Sequence, residues 1–243
     1  MRVKKEIEDS SCKLKWPDLI KGSLISRYQR FKADVRLGNG ETITSLCPNT
    51  GTMLTCSESG RTVYLSYHDV PSRTLKYTWE MIDMADSLVG INTGVPNRLV
   101  KLSIKAGKIK ELSGFDSIKS EVRYGTNSRI DLLLEQDGEK CFVEVKNCTL
   151  VLDGTAYFPD AVTSRGLKHL TELQKEVSKG NRAVMFYLVQ RMDAREFRPA
   201  SHIDPAYGME LEKAKDSGVE ILAYDVKIDL KGISINKKLP FRL

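Results

Sequence analysis

The chain has 243 residues, 41% of them hydrophobic and 29% charged, enough to bury a sizeable core in one large domain or two smaller ones. Lysine and arginine outnumber aspartate and glutamate by 38 to 32, a formal charge of +6 that favours polyanionic partners such as DNA. No apolar run approaches the ~18 residues of a membrane span, and the chain lacks a Walker loop, G-x-G-x-x-G and G-x-S-x-G, which disfavours ATP hydrolysis, dinucleotide oxidoreduction and serine hydrolysis.

In chain order, Met1 to Asp9 mix charges and lack the apolar segment of a targeting signal. Ser23 to Leu37 contains alternating stretches, Asn39-Gly40 is a hairpin turn signal, and Thr42 to Leu46 is the return strand. The segment Arg27-Tyr28-Gln29-Arg30-Phe31-Lys32 interleaves bases with aromatics, which suits single-stranded nucleic acid. Read as a strand, it turns Tyr28, Arg30 and Lys32 one way and Arg27 and Phe31 the other, with Phe31 in the core. Cys47 to Thr52 is loop chemistry, either an ordinary turn or a row of N–H groups for an anion. Arg61 to Tyr67 is another strand, ahead of a polar loop with Pro71. Short strands with turns and little helix predict a small β-barrel over residues 1–85.

Residues 86–243 change character. Leu88 to Asn92 reads as a strand, Pro96 to Ala106 as a helix, and Ser120 to Tyr124 as a strand. Asp160 is expected to cap a helix running through Lys179, with Leu167, Leu170, Leu173 and Val177 as its apolar stripe. Arg182 to Val189 is a buried strand by its continuous apolar run. Asp204-Pro205 opens a helix that ends before Gly218, and Val219 to Val226 is a final strand. The alternation predicts an α/β (α+β) domain, a mostly parallel or mixed sheet flanked by helices. Five cysteines without a C-x-x-C pair, and three histidines without zinc-ligand spacing, read as reduced thiols in a cytoplasmic protein.

The chemistry concentrates between Arg129 and Lys146. Asp137-Gly138 is a hairpin signal, because a type I′ turn needs positive φ at both central positions. A two-residue loop pairs Gln136 with Glu139 and, counting outwards, sets Asp131 opposite Glu144. One face then carries Ile130, Leu132 and Leu134 beside Cys141, Val143 and Val145, all apolar. The other carries Asp131, Glu144 and Lys146. Opposed carboxylates repel, and a divalent cation, Mg²⁺ or Mn²⁺, is the simplest reason to hold them together. A half-exposed hairpin with scattered charges is the competing reading. The Val145 carbonyl is a candidate third oxygen, and Glu121 either a further ligand or a surface charge. Lys146 is placed to orient water or stabilise charge on phosphorus. Arg165 and His169, spaced i, i+4, form either a solvated face or a phosphate grip and proton relay facing the hairpin.

The order of Arg27-Tyr-Gln-Arg-Phe-Lys-Ala-Asp-Val35, Cys47-Pro-Asn-Thr-Gly51, Lys119-Ser-Glu-Val122, Ser128-Arg-Ile-Asp131, Val143-Glu-Val-Lys146, Tyr157-Phe-Pro-Asp-Ala-Val162, Arg165-Gly166, His169-Leu170 and Val219-Glu-Ile-Leu-Ala-Tyr224 resembles the sugar fermentation stimulation protein A family from about residue 20 onwards. Residues 1–15 look like a variable extension. The resemblance implies an N-terminal OB-like barrel and a C-terminal nuclease-like domain of the PD-(D/E)xK type, whose motif Asp131, Glu144 and Lys146 match; Ile130 stands where that motif often has proline. It also implies DNA binding and an association with regulating sugar catabolism genes. Two functions therefore stand side by side. One is a Mg²⁺- or Mn²⁺-dependent DNA nuclease, and the other a non-catalytic DNA-binding regulator on the same scaffold; under either, Arg27, Tyr28, Arg30, Lys32, Arg165 and His169 are the expected DNA contacts.

Overall fold

The computed structural model describes residues 12–125 and 128–243, so residues 1–11 of the expected extension lie outside the described residues. The strands are β1 (Leu14–Lys15), β2 (Leu19–Tyr28), β3 (Lys32–Leu37), β4 (Thr42–Leu46), β5 (Thr62–Tyr67), β6 (Tyr77–Asp83), β7 (Leu88–Gly90), β8 (Ser117–Tyr124), β9 (Ser128–Gln136), β10 (Glu139–Cys148), β11 (Leu150–Leu152), β12 (Thr155–Phe158), β13 (Arg182–Val189), β14 (Glu196–Pro199), β15 (Glu220–Asp229) and β16 (Gly232–Lys238). The helices are α1 (Val95–Lys105), α2 (Ser164–Ser178) and α3 (Pro205–Asp216).

The first half closes into the expected OB barrel. Strands β2 to β6 pair in the order β4-β3-β2-β5-β6, and a parallel β4–β6 contact seals the ring at Ser45↔Tyr77 and Leu46↔Thr78. A bulge between Leu24 and Ser26 bends β2, as closing a small barrel requires. Leu24, Val35, Leu65 and Trp79 fill the interior. Strand β7 is hydrogen-bonded to β6, so the barrel unit runs to Gly90 and the boundary falls after it, later than residue 85. Leu14–Lys15 belongs instead to the second domain, paired with β16.

The second half is a seven-stranded mixed sheet ordered β1-β16-β15-β13-β10-β9-β8. Strands β10, β13 and β15 are parallel and central. Helix α1 packs with Leu132, Leu134, Cys141, Val143 and Val145 on one face. Helices α2 and α3 cover the other, through Leu170, Leu173, Tyr207 and Leu211. Two expectations are corrected here. Asp160 does not cap α2; the helix starts at Ser164, and the Thr163 side chain accepts the Gly166 N–H. Val219 to Val226 is not the last strand, because β15 turns at Leu230-Lys231 into β16, which lies between β15 and β1.

Asp160 is diverted to the domain junction. Its Oδ2 accepts the Met53 N–H at 3.0 Å, and its carbonyl accepts the Thr52 hydroxyl. Gly90 N–H donates to the Gln190 carbonyl at 2.9 Å, and Arg191 donates to Thr55 and Thr149. The barrel is thus bolted to the sheet at several points.

Candidate active site

The hairpin forms as counted. Asp137 and Gly138 have φ of 50° and 87°, the paired positive values of a type I′ turn. The ladder runs from Gln136↔Glu139 to Leu132↔Val143. There it stops, one residue short of Asp131 and Glu144, because a side chain takes over. Asp131 Oδ2 accepts the Val145 N–H at 2.8 Å, and Oδ1 accepts Asn97 Nδ2 of α1 at 2.7 Å. The strands fork, and the aspartate sits in the fork.

The fork corrects one detail. Val122 and Ile130 pair with each other, yet both pack on the α2/α3 face, while Ile118, Leu132 and Leu134 pack on the α1 face. Glu121, between Ser120 and Val122 of β8, has φ of 55° where that strand changes face. Ile130 therefore does not share a face with Leu132. Glu121 itself is exposed.

Opposite the fork, α2 supplies the remaining groups. Glu144 Oε1 accepts Lys146 Nζ at 2.7 Å and lies in short contact with His169 Nδ1. His169 Nε2 accepts from Arg165 Nε at 3.4 Å, which leaves the ring proton on Nδ1, directed at Glu144. Lys146 Nζ is 2.9 Å from the same Nδ1. His169 of that α2 face is therefore buried against the hairpin, while Arg165, one turn earlier, is exposed. Gly166, between the two, is buried; a Cβ there would approach Tyr207 to 2.9 Å, so α2 packs closely only with glycine at this turn.

Electrostatics separate the two carboxylates. Burial, with the Glu144 charge, pushes Asp131 up to about 6, against the opposing pull of the Val145 N–H, Lys146 and Asn97. Burial acts on Glu144 in the same direction, but His169 and Lys146 outweigh it and hold Glu144 below the usual carboxylate range. Tyr124 is buried beside both, its phenol raised by burial and by Glu144.

The donor set fits a hard cation. Glu144 is 2% exposed, and its Oε2 is buried without a hydrogen-bond partner. An orphaned buried acceptor costs about 1–3 kcal/mol, which a bound cation would remove. Among the described residues no group of three or more His, Cys, Asp and Glu is placed to hold a metal. The protein would supply two carboxylates, Asp131 and Glu144, leaving other positions to water, phosphate or the Val145 carbonyl, as Mg²⁺ commonly accepts.

A cleft of about 400 Å³ opens beside Lys146 and Arg165 and is walled on the barrel side by Pro48 to Gly51. Arg27 shapes that wall. Its guanidinium donates to the carbonyls of Arg30, Asn49, Gly51 and Thr52, so it staples the loop and is not offered to solvent as expected. Tyr28 to Lys32 is also not one strand. Gln29 and Arg30 have φ of 51° and 65°, making a hairpin tip. Phe31 is 42% exposed there, not core. Lys32 Nζ lies 5.5 Å over its ring, while Tyr28 donates to Asp34. The tip thus presents Tyr28, Arg30, Phe31 and Lys32 together. Asn97 and Tyr124 escape sequence reading altogether, since no local pattern ties either to the hairpin.

Comparison with known proteins follows the same division. A family model described as the sugar fermentation stimulation protein RE domain matches residues 94–232, and one described as the SfsA N-terminal OB domain matches residues 25–91. A sugar fermentation stimulation protein homolog of Geobacter sulfurreducens is 54% identical over 223 residues, spanning 91% of this chain and 95% of that one. One from Nitrosococcus oceani is 52% identical over 229 residues, spanning 93% and 97%. A solved structure, described as Pyrococcus furiosus SfsA in complex with Ca²⁺, superposes with a TM-score of 0.87 at 27% identity and covers 95% of this chain and 98% of that one.

Proposed function

We propose that this chain, which belongs to the sugar fermentation stimulation protein family, is a DNA-binding phosphodiesterase dependent on Mg²⁺ or Mn²⁺. The observation that carries the reading is the forked hairpin. Asp131 and Glu144 converge there, with an unpartnered Glu144 oxygen between burial and charge. Lys146 stands on the same strand within bonding distance of Glu144. That a similar solved protein is described as a Ca²⁺ complex supports a hard-cation site, since Ca²⁺ and Mg²⁺ both seek oxygen ligands.

Bound at these carboxylates, a divalent ion would lower the pKa of water and polarise a phosphoryl oxygen. The chain's own residues do the rest. Asn97 and the Val145 N–H fix the Asp131 carboxylate in the fork. His169 and Lys146 keep Glu144 ionised at neutral pH. The Lys146 ammonium faces the cleft, placed to orient an attacking water or to neutralise charge on phosphorus. Arg165, exposed at the cleft mouth, is placed to hold a neighbouring phosphate.

The hairpin tip favours a second reading, in which the protein binds DNA as a regulator of sugar catabolism genes without cutting it. Exposed Phe31 beside Arg30 and Lys32 suits stacking and phosphate contact whether or not the metal site works. Highly purified protein incubated with single-stranded, duplex, flap and branched DNA and either metal separates the two. Cleavage lost in Asp131→Asn supports the phosphodiesterase; tight binding by wild type and variant alike, with no cleavage, supports the regulator.

A further inference from the structure

A second cleft of about 430 Å³ shares Pro48 with the catalytic cleft beside Lys146 and Arg165, within the roughly 300–1,000 Å³ of small-ligand sites. Its walls come from both domains and from the segment before β2. Trp16 and Pro17 give it an apolar side, Arg73 and Arg98 a cationic one. Arg98 is exposed and has no hydrogen-bond or ion-pair partner among the described residues. Arg73 donates once, to Thr78 Oγ1 at 2.8 Å, and keeps its other N–H groups. The carboxylate in the wall, Glu80, is 3% exposed, and its oxygens accept from Ser66 and Asn92.

His68 adds a polar edge of fixed sense. The Ser66 hydroxyl gives its one proton to Glu80 Oε1 at 2.6 Å. The 2.8 Å contact between Ser66 Oγ and His68 Nε2 must then carry the imidazole proton. In the neutral ring, Nδ1 remains an acceptor. The cleft thus combines an apolar wall, an imidazole acceptor and three cations, Lys15, Arg73 and Arg98, the complement of a base with its flanking phosphates.

The two clefts share one ridge. Pro48 lines both, and Thr93, which lines the catalytic cleft, donates to the Pro48 carbonyl at 3.0 Å. Helix α1 links the forked hairpin to the second cleft. Asn97 holds Asp131, while Arg98, turned about 100° further round the helix, lines the second cleft.

Resting on the phosphodiesterase reading, we propose that the second cleft holds a nucleotide of the same DNA strand that enters the catalytic cleft. The substrate is then a DNA whose single-stranded segment crosses the ridge at the domain junction. A closed duplex cannot bend one strand over Pro48 and Thr93 without unpairing, so a tail or flap is selected.

The test uses the full chain carrying Asp131→Asn, with binding read by fluorescence anisotropy on a duplex with a single-stranded tail and on the same duplex with blunt ends. Tighter binding of the tailed DNA is expected. Adding Arg73→Gln with Arg98→Glu should cost about tenfold on the tailed DNA only, with a salt slope smaller by roughly 1.4 for two single-strand phosphates. Arg98→Glu alone, at an exposed position, should show the same selective loss in a protein whose folding is not in question. Equal loss on both DNAs, or no loss, overturns the proposal. So does binding of free thymidine monophosphate that the variants abolish while tailed and blunt DNA bind alike. Cleavage by the otherwise unaltered chain is measured in parallel. If it cuts nothing while the tail preference and its loss persist, the phosphodiesterase reading fails and the cleft assignment stands; if it cuts without any tail effect, the cleft assignment alone fails.

Discussion

Glu144 carries two donors on one oxygen and none on the other. That asymmetry, with Asp131 a strand away, sets the chemistry of single residues. Asp131→Asn keeps the shape but removes the charge, and Lys146→Ala removes the cation that the proposed phosphodiesterase reading sets beside the phosphate. Each should lower metal-dependent cleavage by about 10²–10³-fold or more, as measured by initial rates on one labelled DNA. The pH dependence has a definite sign. Asp131 stands at about 6 in the folded chain against an ordinary 3.8. A raised carboxyl contributes stability that is present below the ordinary value and lost as pH rises through the folded one. The melting temperature of metal-free protein should therefore fall, relative to Asp131→Asn, between about pH 4 and pH 6.5. Divalent ion binding should strengthen over the same interval, because the ion competes with the proton. Glu144 has the opposite sign, and its contribution is lost only below the usual carboxylate range. Calorimetry across that interval checks both; a flat profile contradicts the assignment of Asp131. The nearness of Asp131, Glu144 and Lys146 was legible because one short turn fixes the strand register. Asn97 was not, since it arrives on a helix 34 positions away in sequence.

At the scale of elements, the loop from Cys47 to Thr52 is the joint on which the barrel meets the site. Arg27 holds its carbonyls, and Gly51 packs against Asp160 in the loop after β12. A Cβ at Gly51 would lie 2.5 Å from Asp160 Oδ2. Gly51→Ala must move that carboxylate from the Met53 N–H, and overpacking of this kind costs about 1–3 kcal/mol. A lowered urea midpoint, with tailed-DNA affinity reduced, is expected; an unchanged midpoint contradicts the account of the joint. Periodicity revealed most strands, yet it failed where a short turn interrupts it. Gln29 and Arg30 both adopt positive φ without glycine, so Phe31 looked like an inward strand residue and is in fact at an exposed tip. Ile130 misled because β8 and β9 change faces together between Ser120↔Leu132 and Val122↔Ile130. Asp160 preceded an apolar stripe, as a cap would, but a long-range bond to the barrel claims it.

At the scale of the whole molecule, the barrel and the sheet are fastened at Asp160, Gln190 and Arg191, so a strand lying on the barrel meets the fork at a fixed distance. The formal charge of +6 is spread over both units. DNA binding should weaken linearly in log–log salt plots, by about 0.7 of a slope unit per single-strand phosphate contacted. Titration by anisotropy at several salt concentrations checks this; a flat response contradicts a DNA-binding function. The two-unit architecture was legible in the change from short strands to alternating strands and helices. The boundary was not, because β7 closes against the barrel from sequence that reads like the start of the next unit. Strand β16 was hidden by its polar end, Asn236 to Lys238, which runs past the short β1 pairing and is exposed. One measurement bears most directly on the central claim, a calorimetric titration of the metal-free chain with Mn²⁺ at neutral pH, repeated on Asp131→Asn and Glu144→Gln. Saturable binding by the wild type, lost in both variants, is the predicted result; equal binding by all three, or binding by none, would contradict it.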